Sequence, residues 1–523
     1  MGGVAAALAA LRNGMRVVLT EEMDWLGGQL TTQAVPPDEH PWIEHFGCTQ
    51  SYREYRNAVR AYYRANYPLT AAARAEPMLN PGNGLVSRLA HEPRVSLAVL
   101  NDMLAPYFGN GQLRVLLQHA PESAESASDR VTAVTVRDLR SNDTRAITAK
   151  YFLDATELGD LLPLTKTEFV TGAEAQFQTG ELHAAAEANP RNTQAFTFCF
   201  AMDYLPGEDH TIPKPADYDR WRSYVPRLTP PWTGPLLSWT VCDPRTLRPR
   251  SAFFDPAPDK AEHSGLNLWL YRRIADHANF QPGFYASDVT LVNWPQNDYW
   301  LGDLVNAGKL ERRKLLADAK QLSLSLLYWM QTGAPRTDGG TGWKGLRLRK
   351  DIVGTDDGLA KAAYIRESHR IQAEFTILEQ HVGTEMRSRI AKSGSEPAAE
   401  IFRDSVGVGC YRIDLHPSAA GTNYIDISSL PFQIPLGALI PKRVENLIPA
   451  CKNIGTTHIT NGCYRLHPVE WNIGEAAGAL AAHAVKTGNT PRAIRNRETL
   501  LKNFQAALIK QGFELAWPKI HAV

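Results

Sequence analysis

Met1-Gly2-Gly3-Val4-Ala5-Ala6-Ala7 is the stretch that decides the fold of this chain. Small residues recur from there to residue 12, on a face that a helix could press closely against a sheet. An apolar, β-branched run follows at 16–21 and predicts a strand. That strand ends in Glu21, about 20 residues after the glycine pair, where an acid accepts hydrogen bonds from an adenosine ribose. Helix, strand and acid come in the order typical of the second half of a dinucleotide-binding βαβ unit.

The first half of that unit does not precede Gly2 in the sequence. It would comprise a strand and two glycines that bring backbone N–H groups onto a pyrophosphate. A secretory signal peptide with its apolar core at 4–11 is the alternative, but the stretch has no basic start and no small-residue cleavage site. We therefore predict an α/β fold with a Rossmann-like domain that lacks its first strand, and a truncated or misassigned start at Met1.

Composition excludes several functional classes. The chain has 523 residues, 44% of them hydrophobic, which is enough for a large core and two intertwined domains. A net charge of +1 provides no field for a polyanion, so nucleic acid is not an expected partner. No apolar run reaches the roughly 18 residues that a membrane helix needs. The six cysteines form no CxxC pair, so we expect a cytoplasmic enzyme without a disulfide scaffold or a metal site.

The interior of the chain has two textures. Helical patterns at 51–67 and 95–107 precede three strand-like runs at 113–118, 130–139 and 144–153, which predict an antiparallel meander. From about Pro163 to Pro397 the sequence is rich in Pro, Trp and Tyr without βαβ alternation. We interpret this part as a mixed α+β substrate domain whose tryptophans mostly form its core, with some lining a small-molecule pocket.

The C-terminal third restores regular patterns. A short apolar run at 446–450 is followed by a polar loop at 451–468 and a helix at 472–485. Gly474, Ala477, Gly478 and Ala481 form a small-residue face on that helix. Two such helices, at opposite ends of the chain, predict one cofactor held from both sides.

Four motifs in order identify a resemblance that covers nearly the whole chain. They are Trp-Leu-Gly-Gly-Gln at 25–29, Asp-Ala-Thr-Glu-Leu-Gly-Asp at 154–160, Tyr-Ile-Arg-Glu-Ser-His-Arg at 364–370, and the block from Gly455 to Gly478. In these motifs the chain resembles FAD-dependent oxidoreductases of the glutathione-reductase-like flavoprotein superfamily. The resemblance implies FAD as cofactor.

The resemblance also assigns cofactor contacts. Gly2 and Gly3 would end the phosphate turn and Glu21 would bind the ribose. Near the pyrophosphate, the flavin or the ribityl chain it implies Gly27, Gly28, Gln29, Thr156 and Asn453, the last because Ala450-Cys451-Lys452-Asn453 replaces the usual Gly-Asp. Asn472, Ile473 and Gly474 would lie at the pyrimidine end, where free amides and a helix dipole stabilise the charge of the reduced ring.

The residues that perform the chemistry are less sharply indicated. His458 and His467 flank the presumed flavin loop with Arg465 between them, and Arg370 is suited to clamp a carboxylate. A hydrogen-bonded structural role is the alternative for each histidine. We expect a hydride to pass from a small organic substrate to FAD. A flavin isomerase or hydratase without net redox, and a non-catalytic degenerate flavoprotein, stay open as alternatives.

The predicted organisation is discontinuous. Residues 1–35, 85–162 and 400–490 would form the FAD-binding domain. Residues 163–399 would form the substrate domain, with 36–84 as a helical insertion and 491–523 as a C-terminal helical extension. The sequence does not indicate the substrate, the electron acceptor or the oligomeric state.

Overall fold

The computed structural model describes residues 1–256, 265–391 and 395–518. The helices, numbered along the chain, are α1 Gly2–Arg12, α2 Gln50–Asn66, α3 Ala71–Ala75, α4 Pro93–Gly109, α5 Leu161–Leu164, α6 Gln176–Thr179, α7 Tyr218–Ser223, α8 Leu268–Tyr271, α9 Lys309–Thr332, α10 Lys350–Val353, α11 Glu379–Val382, α12 Thr384–Ile390, α13 His458–Tyr464, α14 His467–Thr487, α15 Pro491–Asn496 and α16 Glu498–Lys510.

The strands are short and scattered among small sheets. They are β1 Val17–Glu21, β2 Leu113–Leu117, β3 His119–Ala127, β4 Arg130–Asp138, β5 Thr144–Thr148, β6 Phe152–Asp154, β7 Phe169–Val170, β8 Phe196–Thr197, β9 Phe200–Tyr204, β10 Thr240–Cys242, β11 Pro249–Phe253, β12 Leu266–Asn267, β13 Arg273–Ala275, β14 Val289–Val292, β15 Asp298–Tyr299, β16 Leu346–Leu348, β17 Arg370–Ile371, β18 Ser405–Gly409, β19 Ile413–Leu415, β20 Ile425–Ile427, β21 Phe432–Pro435 and β22 Leu447–Pro449.

The first helix packs across two parallel strand pairs. β1 pairs with β2, and β6 pairs with β22 from the far end of the chain. A Cβ at Gly3 would lie 3.0 Å from the Cβ of Ala155, just after β6, and 3.8 Å from Leu19 of β1. Because α1 carries almost only small side chains on this face, its backbone approaches both pairs closely. The predicted helix and strand at the start of the chain are confirmed.

The predicted meander is only partly correct. β3, β4 and β5 form the antiparallel sheet, whereas β2 leaves it to pair parallel with β1. The predicted run 144–153 also divides, because β5 stays in the meander and β6 joins β22. The prediction missed β3 because its Pro, Glu and Ser residues lack apolar alternation, and most of its length is half-buried or exposed.

The predicted polar loop 451–468 is wrong in its second half. It contains α13, whose N-terminal residue is capped by the side chain of Thr457, and α14 begins at His467 rather than Asn472. Pro468 in the first turn of α14 fits a helix start, and Gly488 ends the helix at φ +70°. The amides of Asn472, Ile473 and Gly474 therefore lie inside the helix. In its first turn Pro468 has no N–H and the Glu470 N–H donates to the Leu466 carbonyl at 2.8 Å, so the amides without an intrahelical acceptor are those of His467 and Val469.

The interior of the chain has a separate aromatic core. Its four-stranded sheet has the order β13-β14-β9-β16, and the long helix α9 packs beside it. The tryptophans buried in this core are Trp221, Trp232, Trp269, Trp294, Trp300, Trp329 and Trp343. The expectation that most tryptophans serve packing is confirmed for these positions.

At the C-terminus α15 and α16 form the predicted extension, of which residues 519–523 lie outside the described part. Across the described ranges, no helix has the length and apolarity required to span a membrane.

Candidate functional site

The N-terminal end of α1 meets the carboxyl ends of three strands. A Cβ on Gly2 would overlap the carbonyl of Ala450, just after β22, while Gly3 faces Ala155 and β1 ends in Glu21. No side chain caps this helix end, and the Gly2 N–H makes one long bond, 3.4 Å to Glu470 Oε1. Open amides and the positive end of the helix dipole favour an anion here, at the sheet edge where α/β folds bind ligands.

The two small-residue helices lie directly against each other, whereas the sequence analysis expects a cofactor held between them. A Cβ on Gly474 would overlap the backbone oxygen of Gly2, and one on Gly478 would overlap that of Ala6. Both contacts are made by backbone atoms, which cannot rotate away as a side chain can. Glycine at these positions of α14 is therefore what allows the two ends of the chain to meet.

The Gly27-Gly28-Gln29 turn lies beside this junction. Gly27 and Gly28 have φ of +114° and +53°, which glycine adopts without strain. A Cβ on Gly28 would lie 2.9 Å from Glu157 Oε1. The side-chain amide of Gln29 donates to the carbonyl of Arg465 at 3.1 Å and to Glu470 Oε2 at 2.8 Å. The turn is thus tied to the segment that leads into α14.

Acidic groups gather at the strand ends. Burial raises the pKa of Glu21 to about 7, although the N–H of Met23 donates to its carboxylate at 2.9 Å. Burial likewise raises the pKa of Asp154, the last residue of β6, to about 6. Glu157 is also buried, but its ion pair with Lys452 holds its pKa below the ordinary value. The site therefore contains two acids that are poised to gain a proton near neutral pH and one that stays ionised.

Thr156 and Asn453 tie the two strand ends together. Thr156 donates its N–H and hydroxyl to Asp154 Oδ1 at 3.0 and 2.7 Å. Asn453 donates to the carbonyl of Asp154 at 3.1 Å and accepts from the N–H of Cys451 at 3.3 Å. In the structure both side chains organise the loops after β6 and β22, next to the start of α1.

His467 opens α14 in a buried, ion-paired surrounding. Its Nδ1 accepts the N–H of Asp38 at 3.1 Å, so Nε2 carries the proton of the neutral ring, and this atom is buried without a partner. Burial lowers the pKa of His467 to about 4. The carboxylate of Asp38 pairs with Arg272 at 3.0 Å. This histidine is neutral at physiological pH and presents a hydrogen-bond donor.

Arg465 belongs to a chain of charges that the sequence analysis did not identify. It donates to the carbonyl of Asp414 at 2.9 Å and to the Tyr364 hydroxyl at 3.3 Å. His416 lies between two carboxylates, with Nδ1 2.6 Å from Asp298 Oδ2 and Nε2 3.5 Å from Asp414 Oδ2. Asp298 is fully buried, whereas the side chains of His416 and Asp414 are 19% and 22% exposed. A ring oriented by a buried acid, with a part-exposed carboxylate 3.5 Å from its other nitrogen, is suited to proton transfer.

Arg370 and His458 form a second, more enclosed cluster. Arg370 pairs with Glu367 and with Glu174, both at 2.8 Å, and has no exposed side-chain surface. Nδ1 of His458 lies 3.1 Å from Glu367 Oε2. The structure therefore brings Arg370 and His458 together through Glu367. These two residues make no direct contact with Arg465 or His467 among the hydrogen bonds and ion pairs of the described residues. Gln194 connects the clusters, since it donates to Glu367 at 3.1 Å and accepts the N–H of His416 at 3.3 Å.

Asn472 and Gly474 have packing contacts in place of open amides. The side chain of Asn472 accepts the N–H of Val408 at 3.2 Å and donates to the carbonyl of Val406 at 3.3 Å. Ile473 is fully buried. These contacts fix α14 against β18 on one side and α1 on the other.

A group of potential metal ligands lies elsewhere in the fold. Asp276, His277 and Asp288 bring their ligand atoms within 4.8 Å of one another. Arg273 pairs with both carboxylates, at 2.9 and 2.7 Å, and neutralises part of their charge. The group is part of the surface of the aromatic-core region and does not contact the residues described above.

Some of the missed residues carried a signal in the sequence. Asp414 and His416 are two apart around the end of β19, which places them on one face of an extended segment. Asp38, Arg272 and Asp298 had none, because they come from separate loops and strands that only the tertiary fold brings together.

Comparisons with known proteins find one matching family model and several solved structures of low sequence identity. A family model described as FAD dependent oxidoreductase matches residues 1–508. Among solved structures, the glycerol-3-phosphate dehydrogenase from Bacillus halodurans complexed with FAD is 14% identical with a TM-score of 0.21, and 38% of each chain is covered. The E. coli quinol fumarate reductase FrdA is 11% identical with a TM-score of 0.28, covering 98% of this chain and 72% of that one. The flavin-dependent monooxygenase PieE is 13% identical with a TM-score of 0.21, covering 40% and 38%.

The chain thus spans well under half the length of the dehydrogenase that it matches. The comparison with curated proteins finds no match. The family match extends over nearly the whole sequence, including α1, the Gly27-Gly28-Gln29 turn and α14. The chain belongs to the FAD dependent oxidoreductase family, and its cofactor is FAD.

Proposed function

We propose that this enzyme binds FAD at the start of α1 and takes a hydride from a small organic substrate beside Arg465 and His416. One observation carries the proposal: Gln29 bonds at once to the Arg465 carbonyl and to Glu470 in the first turn of α14. That side chain joins the predicted cofactor turn to the charged cluster, formed by Arg465, Asp414, His416 and Asp298. A cofactor held by the turn would therefore lie next to this cluster.

The residues present fit FAD on several counts. Gln33 is fully buried beside Glu157, and its Oε1 makes no hydrogen bond to any described residue. Gln29 Oε1 and Asp154 Oδ2 are also buried without partners. Buried polar atoms normally have a hydrogen-bond partner, because a buried donor or acceptor without one costs about 1–3 kcal/mol of stability. A polar cofactor with many donors and acceptors would satisfy these atoms.

Roles follow from position. Gly2 and Gly3 would place amides on the pyrophosphate, and Glu21 would accept the ribose hydroxyls. Gly27, Gly28 and Gln29 would cover the pyrophosphate or flavin, with Thr156 and Asn453 supporting the loops behind them. For the pyrimidine end we assign the amides of His467 and Val469 in the first turn of α14 in place of Asn472, Ile473 and Gly474, since those two have no acceptor within the helix. The protonated Nε2 of His467 would donate there as well.

Bound FAD would supply the two-electron acceptor for the hydride. Arg465 would hold an anionic or carbonyl group of the substrate through the guanidinium edge not used by Asp414. His416 would accept a proton at Nε2, while Asp298 orients the ring through Nδ1 and stabilises its charged form. Asp298 is suited to this because, despite burial, Arg366 and His416 hold its pKa below the ordinary value.

In this proposal Arg370 and His458 are positioning residues. Arg370 has its terminal nitrogens occupied by Glu367, Glu174 and the carbonyl of Gly172. Their network would hold Glu367 and Gln194 against the loop of His416.

Anaerobic titration of the purified holoenzyme with a library of small organic acids, alcohols and amines tests the proposal. We expect at least one class to bleach the flavin absorbance, and His416→Ala to slow that bleaching at unchanged flavin content. The matched control is His45→Ala, which removes an exposed histidine outside the charged cluster. Turnover without bleaching, or equal bleaching rates in His416→Ala and wild type, would contradict it.

A further inference from the structure

A small cavity lies on the far side of the Arg370 cluster. It has a volume of about 80 Å³ and is lined by Glu174, Glu181, His183, Asn192, Thr422 and His458, with alanine and isoleucine side chains closing the rest. None of the roles proposed for FAD or for the hydride donor uses this space. It is separate from the junction of α1 and α14, since its walls come from residues 173–192, 422–425 and the start of α13.

Glu181 is the unusual member of this lining. It has no exposed surface, and its Oε1 accepts the Thr457 hydroxyl at 2.6 Å and the N–H of Glu379 at 2.8 Å. Its other oxygen, Oε2, is buried without a hydrogen-bond partner. Whether the group is ionised or protonated, that oxygen needs a partner, and the cavity is the space that Glu181 borders.

The other acids around the cavity each contact a basic side chain. Glu174 pairs with Arg370 at 2.8 Å, and Glu379 pairs with His183 at 2.7 Å. Burial raises the pKa of Glu181 to about 7, although the Thr457 hydroxyl and the Glu379 N–H donate to its carboxylate. Within the described ranges, no basic side chain forms an ion pair with Glu181. When Glu181 is ionised, the cavity therefore has one negative charge without a counter-charge among the described side chains, and a bound cation would compete with the proton for this group.

We propose that this cavity binds one small monovalent cation, an alkali-metal ion or an ammonium ion, on Glu181 Oε2. A single uncompensated carboxylate matches a charge of +1. Calcium takes six to eight oxygen ligands and magnesium a near-ideal octahedron, which one free carboxylate oxygen does not provide. Oxygens of Asn192 and Thr422 and a few waters would complete the shell, since the volume exceeds the 10–15 Å³ that one water needs.

Thermal unfolding of the full holoenzyme tests this proposal. The melting temperature is measured in NaCl, KCl and NH₄Cl, with ionic strength held constant by choline chloride, whose cation is too large for the cavity. We expect a saturable rise of about 1–3 °C with one or more of the small cations. The salt that gives the larger rise distinguishes a metal ion from ammonium. Equal melting temperatures in all four salts would overturn the proposal.

Two variants locate the effect. Glu181→Gln removes the charge and Ala173→Val fills the cavity without touching the acid, and both should abolish the rise. Glu385→Gln, which removes a charge from an exposed carboxylate paired with Arg389, should keep it. A rise that persists in Glu181→Gln or in Ala173→Val would contradict the assignment. If Glu181→Gln does not fold, equilibrium dialysis of the wild-type enzyme against Rb⁺ decides, with about one bound ion expected and none contradicting.

Discussion

Substituting Gly474 by alanine tests the junction on which the proposed cofactor site rests. The added Cβ would overlap the backbone oxygen of Gly2, and a carbonyl in the first turn of α1 cannot rotate out of the way. Overpacking of this kind costs about 1–3 kcal/mol. Alanine in a helix interior returns up to about 1 kcal/mol through propensity. We therefore expect a net loss of about 1–2 kcal/mol in the free energy of unfolding.

The same substitution should weaken FAD binding, because relief of the overlap requires Gly2 to move away from α14 and from the strand ends. A displacement of the α1 amides that loses about 1.4 kcal/mol of pyrophosphate binding raises the dissociation constant about tenfold. Stability is measured by tryptophan fluorescence during thermal unfolding, and affinity by titrating the deflavo enzyme with FAD.

Two matched variants separate the effects. Gly478→Ala meets the backbone oxygen of Ala6, further along α1, and should lower stability with a smaller effect on FAD affinity. Gly109→Ala adds a Cβ at an exposed position with nothing within 4 Å, and should lower neither the stability nor the FAD affinity. A Gly474→Ala enzyme with wild-type stability and wild-type FAD affinity would refute the reasoning.

Three further predictions concern single side chains. Glu21→Gln should raise the FAD dissociation constant about tenfold at pH 8 and by less at pH 6. The difference is expected because Glu21, with a pKa of about 7, is already mostly protonated at pH 6. Equal effects at both pH values would contradict the ribose contact. His416→Ala should lower kcat about 10²-fold or more, measured in stopped flow beside the His45→Ala control, and an unchanged kcat would contradict its role as base. The pKa of Asp154 is about 6 in the folded protein against an ordinary value of 3.8, so the free energy of unfolding of the wild type should fall as pH rises from about 4 to 6. Asp154→Asn should flatten that slope and raise the free energy of unfolding by about 2 kcal/mol at pH 8. An unchanged slope in denaturant titrations at several pH values would count against this prediction.

Local patterns predicted the ends of the chain well. The small residues of α1, the β-branched strand β1 and the small-residue face of α14 depend on neighbours in sequence, and the structure has them where the sequence analysis expects them. The start of α14 was placed too late because 467–471 contains a histidine, a proline and a tryptophan, which interrupt the small-residue pattern. In the structure Pro468 occupies the first turn, where a missing N–H costs nothing.

Long-range pairing was beyond the sequence. Nothing in the run 113–118 distinguishes a strand of a meander from the parallel partner of β1, because both need the same apolar alternation. The charged cluster was equally hard to predict from the sequence. Arg370 was predicted to clamp a substrate carboxylate from its residue type, yet Glu174, 196 positions away, supplies the carboxylate that it binds in the structure. The assignment of Arg370 to the catalytic group stays a prediction.

A crystal structure of the enzyme with FAD tests the central claim most directly. The account predicts that the pyrophosphate lies against the amides of Gly2 and Gly3, that the adenosine ribose contacts Glu21, and that the flavin ring faces Arg465 and His416. FAD bound away from the junction of α1 and α14, with neither Glu21 nor Gln29 in contact, would contradict it.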